Sequence, residues 1–489
     1  MVLLEVHTGL LQGIRHFRFH AGSPTDTCMA LHADAQSTKP LLPKLCIQLY
    51  MYLILALAVV FWQPAAGWAR SYDTINVSNP FLHKTPVAVP AFKALAAKQA
   101  ETDIGEKARR ILNEGLAFTG YLKLVNPDAF LANPARTGIQ LGQINFRDWT
   151  GIGAELLITG GVEADQGQVT LKLRLFDTFN TKLLKGKIYT GSESQVRRMV
   201  HLFCAEVSHV LTGKWGVFNS RLTFVSRVNG NKEVFVSDFD GHNPRQVTHH
   251  KSISLSPAWS SDSQWLAYVS YAKGKPDIYI KHLEQNRGTI VSREGMNISP
   301  AWMPGQAKLA AALSFSGNQQ IYLLTRDGEI IKKVTGSWGI NVSPRFSPDG
   351  RKLAFVSNRS GTPQIYIKDL NTEDVRRVTF QGRYNTSPAW SPDGKRMAYV
   401  GIDKNKIDIY MINLASGPGM PVQLTKNQGD NEDPSWSPDG NLIVFTSSRE
   451  NNSPALYVMT AAGTDQRRLM HMTGRQTQPA WSGPMVQED

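Results

Sequence analysis

The octapeptide Ser387-Pro388-Ala389-Trp390-Ser391-Pro392-Asp393-Gly394 is one of six related segments in the second half of the chain. Each segment carries a proline, one intervening residue and then an aromatic ring, and successive prolines lie 43 to 46 residues apart. The other five segments are Ser256-Pro257-Ala258-Trp259-Ser260, Ser299-Pro300-Ala301-Trp302, Ser343-Pro344-Arg345-Phe346-Ser347, Asp433-Pro434-Ser435-Trp436-Ser437 and Gln478-Pro479-Ala480-Trp481-Ser482. A period in the forties with several short strands per unit is typical of β-propeller blades.

Each repeat predicts four strands, of which the Pro-x-aromatic segment is the first. The Ser391-Pro392-Asp393-Gly394 turn follows it, because proline fixes φ and glycine permits a left-handed exit. In one repeat, 353–357, 364–368 and 375–379 supply the remaining strands. We expect the recurrent ring to pack between neighbouring blades.

The two ends of the array predict how the ring closes. Residues 221–226, 233–238 and 245–248 form three strands that lack a preceding Pro-x-aromatic strand, and 479–482 form such a strand without successors. Together they complete one blade, which removes the open sheet edges. The sequence therefore predicts a six-bladed β-propeller over 216–489.

Residues 85–215 predict a small α/β domain with a mixed sheet. Strand patterns cover 85–90, 156–162, 169–176 and 183–189. Asp103 and Glu106 fit a capping box, which predicts a helix beginning at Asp103. A second helix is expected over 193–211, ending at Gly213.

The first 69 residues have the features of a leader. The apolar run 53–61 has the length of a signal-peptide core, and Ala69 ends a small-residue cleavage pattern. An uncleaved anchor is the alternative. Residues before about Met29 resemble no targeting element, which suggests a start codon placed too far upstream.

The composition excludes a disordered, a fibrous or a polytopic membrane protein. The 489 residues carry a net charge of +13, with 42% hydrophobic and 19% charged residues, which is typical of a folded globular protein. The basic residues are scattered, so no specific nucleic-acid partner is expected. Only Cys204 lies outside the leader, and we expect a buried thiol there.

Signal peptide, α/β domain and six such repeats, in this order, resemble the TolB family of periplasmic Tol-Pal proteins. The junction 211–218, Leu-Thr-Gly-Lys-Trp-Gly-Val-Phe, is also similar to the interdomain segment of that family. The resemblance implies binding rather than catalysis, in a monomer that is not inserted in the membrane. It implies Pal and TolA as partners, with outer-membrane lipoproteins or porins as further candidates. The implied roles are outer-membrane integrity, invagination during cell division and protein import.

Two binding regions follow from the resemblance. TolA would bind the segment 70–84, through Arg70, Tyr72, Asp73, Ile75 and Val77, which could add a strand to a partner sheet. A plain signal-peptide remnant or an internal edge strand is the alternative. Pal would bind loops that enter the first strands of the blades, where ordinary solvated loops are the alternative. Those positions are Met296, Asn297, Ser299, Asn341, Val342, Tyr384, Asn385, Asn431 and Glu432.

The sequence carries no recognisable catalytic motif. The chain has no Gly-x-Ser-x-Gly elbow and no Walker loop, and the adjacent His249 and His250 lack a third metal ligand in sequence. We therefore expect no enzyme activity, cofactor or metal. The alternative function is a secreted propeller that binds or cleaves a glycan or small ligand.

Overall fold

The computed structural model describes residues 84–131, 138–336, 338–415 and 419–484. They form an α/β region followed by a six-bladed β-propeller, as the sequence predicted. The predicted boundary near residue 215 falls between the last helix and the first propeller strand, and it stays a prediction. The predicted leader and the predicted TolA-binding segment 70–84 lie outside the described residues, apart from Lys84.

The α/β region contains one mixed sheet. Its strands are β1 (Thr85–Ala88), β2 (Lys93–Ala94), β3 (Leu122–Leu124), β4 (Leu156–Asp165), β5 (Gln168–Asp177) and β6 (Lys182–Ser192). Their order in the sheet is β3-β1-β4-β5-β6, with β2 also paired to β4. β1 runs parallel to β3 and β4, whereas β4, β5 and β6 are antiparallel. The helices are α1 (Gln99–Phe118), α2 (Phe146–Thr150) and α3 (Val196–Thr212).

Helix α1 begins earlier than the sequence predicted, so the prediction of a capping box at Asp103 is wrong. Its N-cap is Lys98, and Asp103 lies inside the helix. The carboxylate of Glu101, which is 1% exposed, accepts hydrogen bonds from the Ala96 amide at 2.8 Å and the Ala164 amide at 3.1 Å. These bonds tie the first turn to the end of β4, and this long-range contact selects the start of the helix.

The propeller consists of six four-stranded antiparallel sheets. The last strand, β30 (Gln476–Trp481), pairs with β7 (Arg221–Val228) and completes the first blade, so the predicted closure is confirmed. Blade 1 contains β7 (Arg221–Val228), β8 (Asn231–Asp238), β9 (Arg245–Gln246) and β30 (Gln476–Trp481). Blade 2 contains β10 (Ser254–Trp259), β11 (Trp265–Ser270), β12 (Asp277–His282) and β13 (Gly288–Val291). Blade 3 contains β14 (Asn297–Trp302), β15 (Lys308–Leu313), β16 (Gln320–Thr325) and β17 (Ile330–Lys333).

The remaining blades repeat this order. Blade 4 contains β18 (Asn341–Phe346), β19 (Lys352–Ser357), β20 (Gln364–Asp369) and β21 (Val375–Arg377). Blade 5 contains β22 (Tyr384–Trp390), β23 (Arg396–Asp403), β24 (Lys406–Asn413) and β25 (Val422–Gln423). Blade 6 contains β26 (Asn431–Trp436), β27 (Leu442–Ser447), β28 (Ala455–Thr460) and β29 (Arg467–Arg468).

The aromatic residue of the repeat joins neighbouring blades, as predicted. Trp302 Nε1 donates a hydrogen bond to the Ala258 carbonyl at 3.1 Å, and Trp436 Nε1 donates to the Ala389 carbonyl at 3.1 Å. Each acceptor belongs to the first strand of the preceding blade. The rings therefore fill the space between twisted sheets and also satisfy a backbone acceptor there.

The residue before each repeat proline adopts a left-handed backbone. Its φ lies between 50° and 54° in all six blades, for example at Ser387 and Asp433. The strand register shifts at this point, as between Thr386 and Ala389. A bulge of this kind increases local twist, which suits strands that must pack side by side around a channel.

Helices α1 and α3 pack between the sheet of the α/β region and the propeller, whereas α2 packs on the opposite face of that sheet. One continuous core includes Leu112 of α1, Phe203 of α3 and Phe224 of β7. The Phe118 and Phe239 rings meet edge to face with centroids 5.2 Å apart. Cys204 is buried in this core, which confirms its predicted environment and raises the pKa of its thiol.

Candidate functional site

The loops that lead into the first strands of the blades meet the turns between the second and third strands. Two hydrogen bonds show this: the Met296 amide donates to Ser314 Oγ at 2.7 Å, and the Ile340 amide donates to Asn358 Oδ1 at 2.7 Å. We call this end of the propeller the entry face. It carries the positions that the sequence predicted for Pal binding.

Four predicted asparagines are the first or second residues of their inner strands and lie in the interior, at most 1% exposed. Each side-chain amide donates to a side-chain oxygen within the first three residues of the third strand in the preceding blade. The pairs are Asn297 with Asp277 (3.2 Å), Asn341 with Gln320 (3.0 Å), Asn385 with Gln364 (2.7 Å) and Asn431 with Asp408 (3.1 Å). The asparagines thus hold adjacent blades together, and their contact with a partner stays a prediction.

The remaining predicted residues differ in accessibility. Ser299 and Val342 are buried, whereas Met296, Tyr384 and Glu432 are partly exposed. Met296 Sδ accepts a hydrogen bond from Gln319 Nε2 at 3.2 Å. The structure therefore brings all nine predicted positions to one end of the propeller, but most of them offer little surface.

Three exposed aromatic residues on the entry face were not predicted from the sequence. Trp338 is 76% exposed, Phe380 is 61% exposed and Phe315 is 40% exposed. Trp338 and Phe380 lie in loops that precede β18 and β22, and Phe315 lies in the turn after β15. The sequence could have indicated these residues, because they are aromatic and lie in loops and not at alternating positions of a strand. A ring in such a loop does not belong to the core of a blade.

The entry face is strongly basic. Its described loops and turns contain three acidic residues, Glu294, Asp430 and Glu450. They contain ten basic residues: Lys251, Lys273, Lys275, Arg293, Arg359, Arg383, Lys404, Lys426, Arg449 and Arg475. Exposed rings surrounded by cations are typical of a protein-binding surface with an acidic partner.

Two neighbouring carboxyl groups with raised pKa values, Glu432 and Asp433, lie where β26 begins. Burial and the neighbouring Asp433 and Asp430 raise the pKa of Glu432 to about 9, and Glu432 Oε1 has no hydrogen-bond partner among the described residues. Burial also raises the pKa of Asp433, to about 6, although the Arg345 guanidinium opposes that shift. The upward shift favours the protonated form of Glu432, which could donate a hydrogen bond.

The other candidate groups have local explanations. His250 Nε2 lies 3.0 Å from the Tyr268 hydroxyl. In the part of the chain that the structure describes, no group of three or more His, Cys, Asp or Glu side chains could hold a metal ion. No described helix combines the length and apolarity needed to cross a membrane.

Comparison with known proteins identifies the family. Residues 209–485 match the TolB beta propeller domain, and residues 73–184 match the TolB amino-terminal domain. The chain belongs to the TolB family. A TolB homolog of Chlorobium luteolum is 40% identical over 437 residues, which cover 89% of this chain and 98% of that protein.

Other TolB relatives match over shorter lengths. The Tol-Pal system protein TolB of Desulfosudis oleivorans is 50% identical over 285 residues, which cover 58% of this chain and 65% of that protein. The crystal structure of TolB from Acinetobacter baumannii superposes with a TM-score of 0.72 at 25% identity, covering 82% of this chain and 97% of that one. The TolB fold thus spans both the α/β region and the propeller.

Proposed function

We propose that this chain is a periplasmic scaffold of the Tol-Pal system, with a binding rather than a catalytic role. Membership of the TolB family supports the assignment to this system. In this proposal the entry face binds Pal and the segment 70–84 binds TolA. The complex would support outer-membrane integrity, invagination during cell division and protein import.

The observation that carries the Pal proposal is the exposed aromatic and basic character of the entry face. A ring that is more than half exposed in a monomer becomes a source of binding energy when a partner covers it. The excess of cations would attract an acidic surface and accelerate association. We therefore propose Trp338 and Phe380 as anchors, surrounded by the basic loops.

Calorimetric titration with purified Pal tests this proposal. Phe380→Ala is expected to weaken binding by about 1–3 kcal/mol, as for an aromatic residue near the centre of an interface. Phe179→Ala is the matched control, because Phe179 is 63% exposed and Phe380 is 61% exposed, and Phe179 lies on the α/β region. Equal affinities for Phe380→Ala and the unchanged chain would contradict the proposal.

A deletion tests the TolA segment. Removing residues 70–80 is expected to abolish binding of TolA while Pal binding stays unchanged, because the entry face is intact. Unchanged TolA affinity would refute the assignment. Complementation of a strain that lacks its own TolB then tests the cellular roles, with leakage of periplasmic enzymes and cell chaining as the two readouts.

A further inference from the structure

We propose that the outer edge of β6 is a docking site for an extended acidic segment of another protein. The segment would add a strand to the sheet of the α/β region. The strand β6 belongs neither to the entry face nor, in sequence, to the segment 70–84, so this site goes beyond the Pal and TolA interactions.

The edge itself is long, and its outer side is not paired with any strand in the described parts of the chain. β6 pairs with β5 along its 11 residues. A typical strand has about 5–6 residues, so this edge is unusually long. Its outer row of peptide N–H and C=O groups is available to another strand.

Two of the three lysines of β6, Lys185 and Lys187, do not protect this edge, whereas Lys182 is exposed where the strand begins. Natural edge strands often carry lysine side chains that discourage pairing with another chain. In β6, however, Lys185 Nζ and Lys187 Nζ lie 2.8 Å and 2.7 Å from the two carboxylate oxygens of Glu206 on α3. Both side chains are therefore drawn to the helix side of the sheet.

The opposite side of β6 is apolar and accessible. Leu183 is 42% exposed and Ile188 is 63% exposed, and both lie on the face of the sheet that points away from α3. Gly186 separates them and leaves a shallow gap, since a Cβ there would lie 3.7 Å from Arg174 Cγ. Apolar side chains of an added strand could pack into this gap.

The charge beside the gap selects the kind of partner. Arg174 pairs with Gly186 in the register, and its Nη1 is buried without a hydrogen-bond partner among the described residues. The neighbouring Lys172 is already bonded to Glu163, at 2.8 Å. A carboxylate on the incoming strand would satisfy the free donor of Arg174, which otherwise costs about 1–3 kcal/mol.

The lysines of β6 disfavour a second copy of this chain as the occupant. Two β6 edges in antiparallel contact would bring the basic residues of both copies together, and like charges directly opposite are destabilising. An acidic extended segment avoids this repulsion and complements the edge. This charge complementarity is the reason for the choice of partner.

The experiment uses the full chain and a labelled peptide of alternating valine and aspartate, equal in length to β6. Fluorescence anisotropy measures binding, and hydrogen–deuterium exchange follows the amides of 182–192. The peptide is expected to bind and to slow exchange in β6. A peptide of alternating valine and lysine, and an acidic peptide N-methylated at alternate residues, are expected not to bind.

Two variants and a matched control sharpen the test. Ile188→Glu is expected to weaken binding of the acidic peptide by at least about tenfold through like-charge repulsion. Arg174→Gln should weaken binding of the acidic peptide but leave a valine–threonine peptide unaffected. Ile331→Glu is the control, because Ile331 is 44% exposed on β17 of the propeller. Pal affinity should be unchanged in all three variants.

Three results would overturn the proposal. The first is no change in anisotropy or exchange at millimolar peptide. The second is equal binding of the lysine peptide. The third is concentration-dependent dimerisation that protects β6 in the absence of peptide, which would identify a second copy of this chain as the occupant.

Discussion

His201 should make the folded chain less stable as the pH falls below neutrality, and a single substitution should remove this effect. The residue lies on α3, is 8% exposed, and packs against the Phe239 ring with centroids 5.0 Å apart. Burial lowers the pKa of His201 to about 4; Asp240 opposes this shift, and Arg197 and His242 add to it. The folded chain therefore keeps this imidazole neutral where the unfolded chain does not.

The magnitude follows from the two pKa values. An unfolded histidine titrates near pH 6.5. Between pH 6.5 and 4 the unfolded state therefore binds more protons than the folded state, and the free energy of unfolding decreases as the pH is lowered. With a folded value of about 4, His201 alone should remove about 2 kcal/mol between pH 7 and pH 5. His201→Phe, which keeps an aromatic ring beside Phe218 and Phe239, should lack this contribution.

Urea unfolding at pH 7 and pH 5, followed by tryptophan fluorescence, measures the difference. The loss of unfolding free energy on acidification should be about 2 kcal/mol smaller in His201→Phe than in the unchanged chain. His201→Leu separates titration from packing, because it should show the same reduced pH dependence at a different absolute stability. Equal losses in all three chains would refute the reasoning.

Two further substitutions test the packing of the fold by urea unfolding. Trp436→Phe should lower the free energy of unfolding by about 1 kcal/mol more than Trp481→Phe. The reason is that Trp436 loses its hydrogen bond to the Ala389 carbonyl, whereas Trp481 Nε1 has no partner among the described residues. Equal losses would show that the hydrogen bond adds nothing to stability. Gly160→Ala should destabilise by about 1–3 kcal/mol, since its Cβ would lie 2.5 Å from the Phe92 ring. Phe92→Leu in the same chain should recover part of this loss, and an additive double variant would exclude the clash.

The propeller could be predicted because its signals are local and repeated. The proline spacing, the Ser-Pro-Asp-Gly turns and the strand alternation each depend on residues a few positions apart, and six copies reinforce one another. The structure confirms the consequence at Trp302, whose ring joins its blade to the preceding one. Ring closure by β30 and β7 was also predictable. The three strands at the start of the array lack a first strand, and the single first strand at its end lacks successors, so the two parts complete one blade.

The binding surface was predicted only in outline. The sequence placed it in loops before the inner strands, but the residues chosen there included Asn385, which is 1% exposed. Polar residues at the end of a loop are expected to contact solvent. The side-chain amide of Asn385 instead donates a hydrogen bond to Gln364 of the preceding blade. Trp338 was missed for the converse reason, since the sequence does not show which aromatic residues find a neighbour.

The sequence by itself therefore determined the family, the six blades and the order of α/β region and propeller, because each is written in periodic or contiguous patterns. The tertiary structure alone decided which side chains are accessible. It turned Lys185 and Lys187 toward Glu206, buried His201 between aromatic rings and left Ile188 exposed at the β6 edge. The physical reason is that exposure, pKa and pairing depend on residues that are distant along the chain and adjacent only after folding.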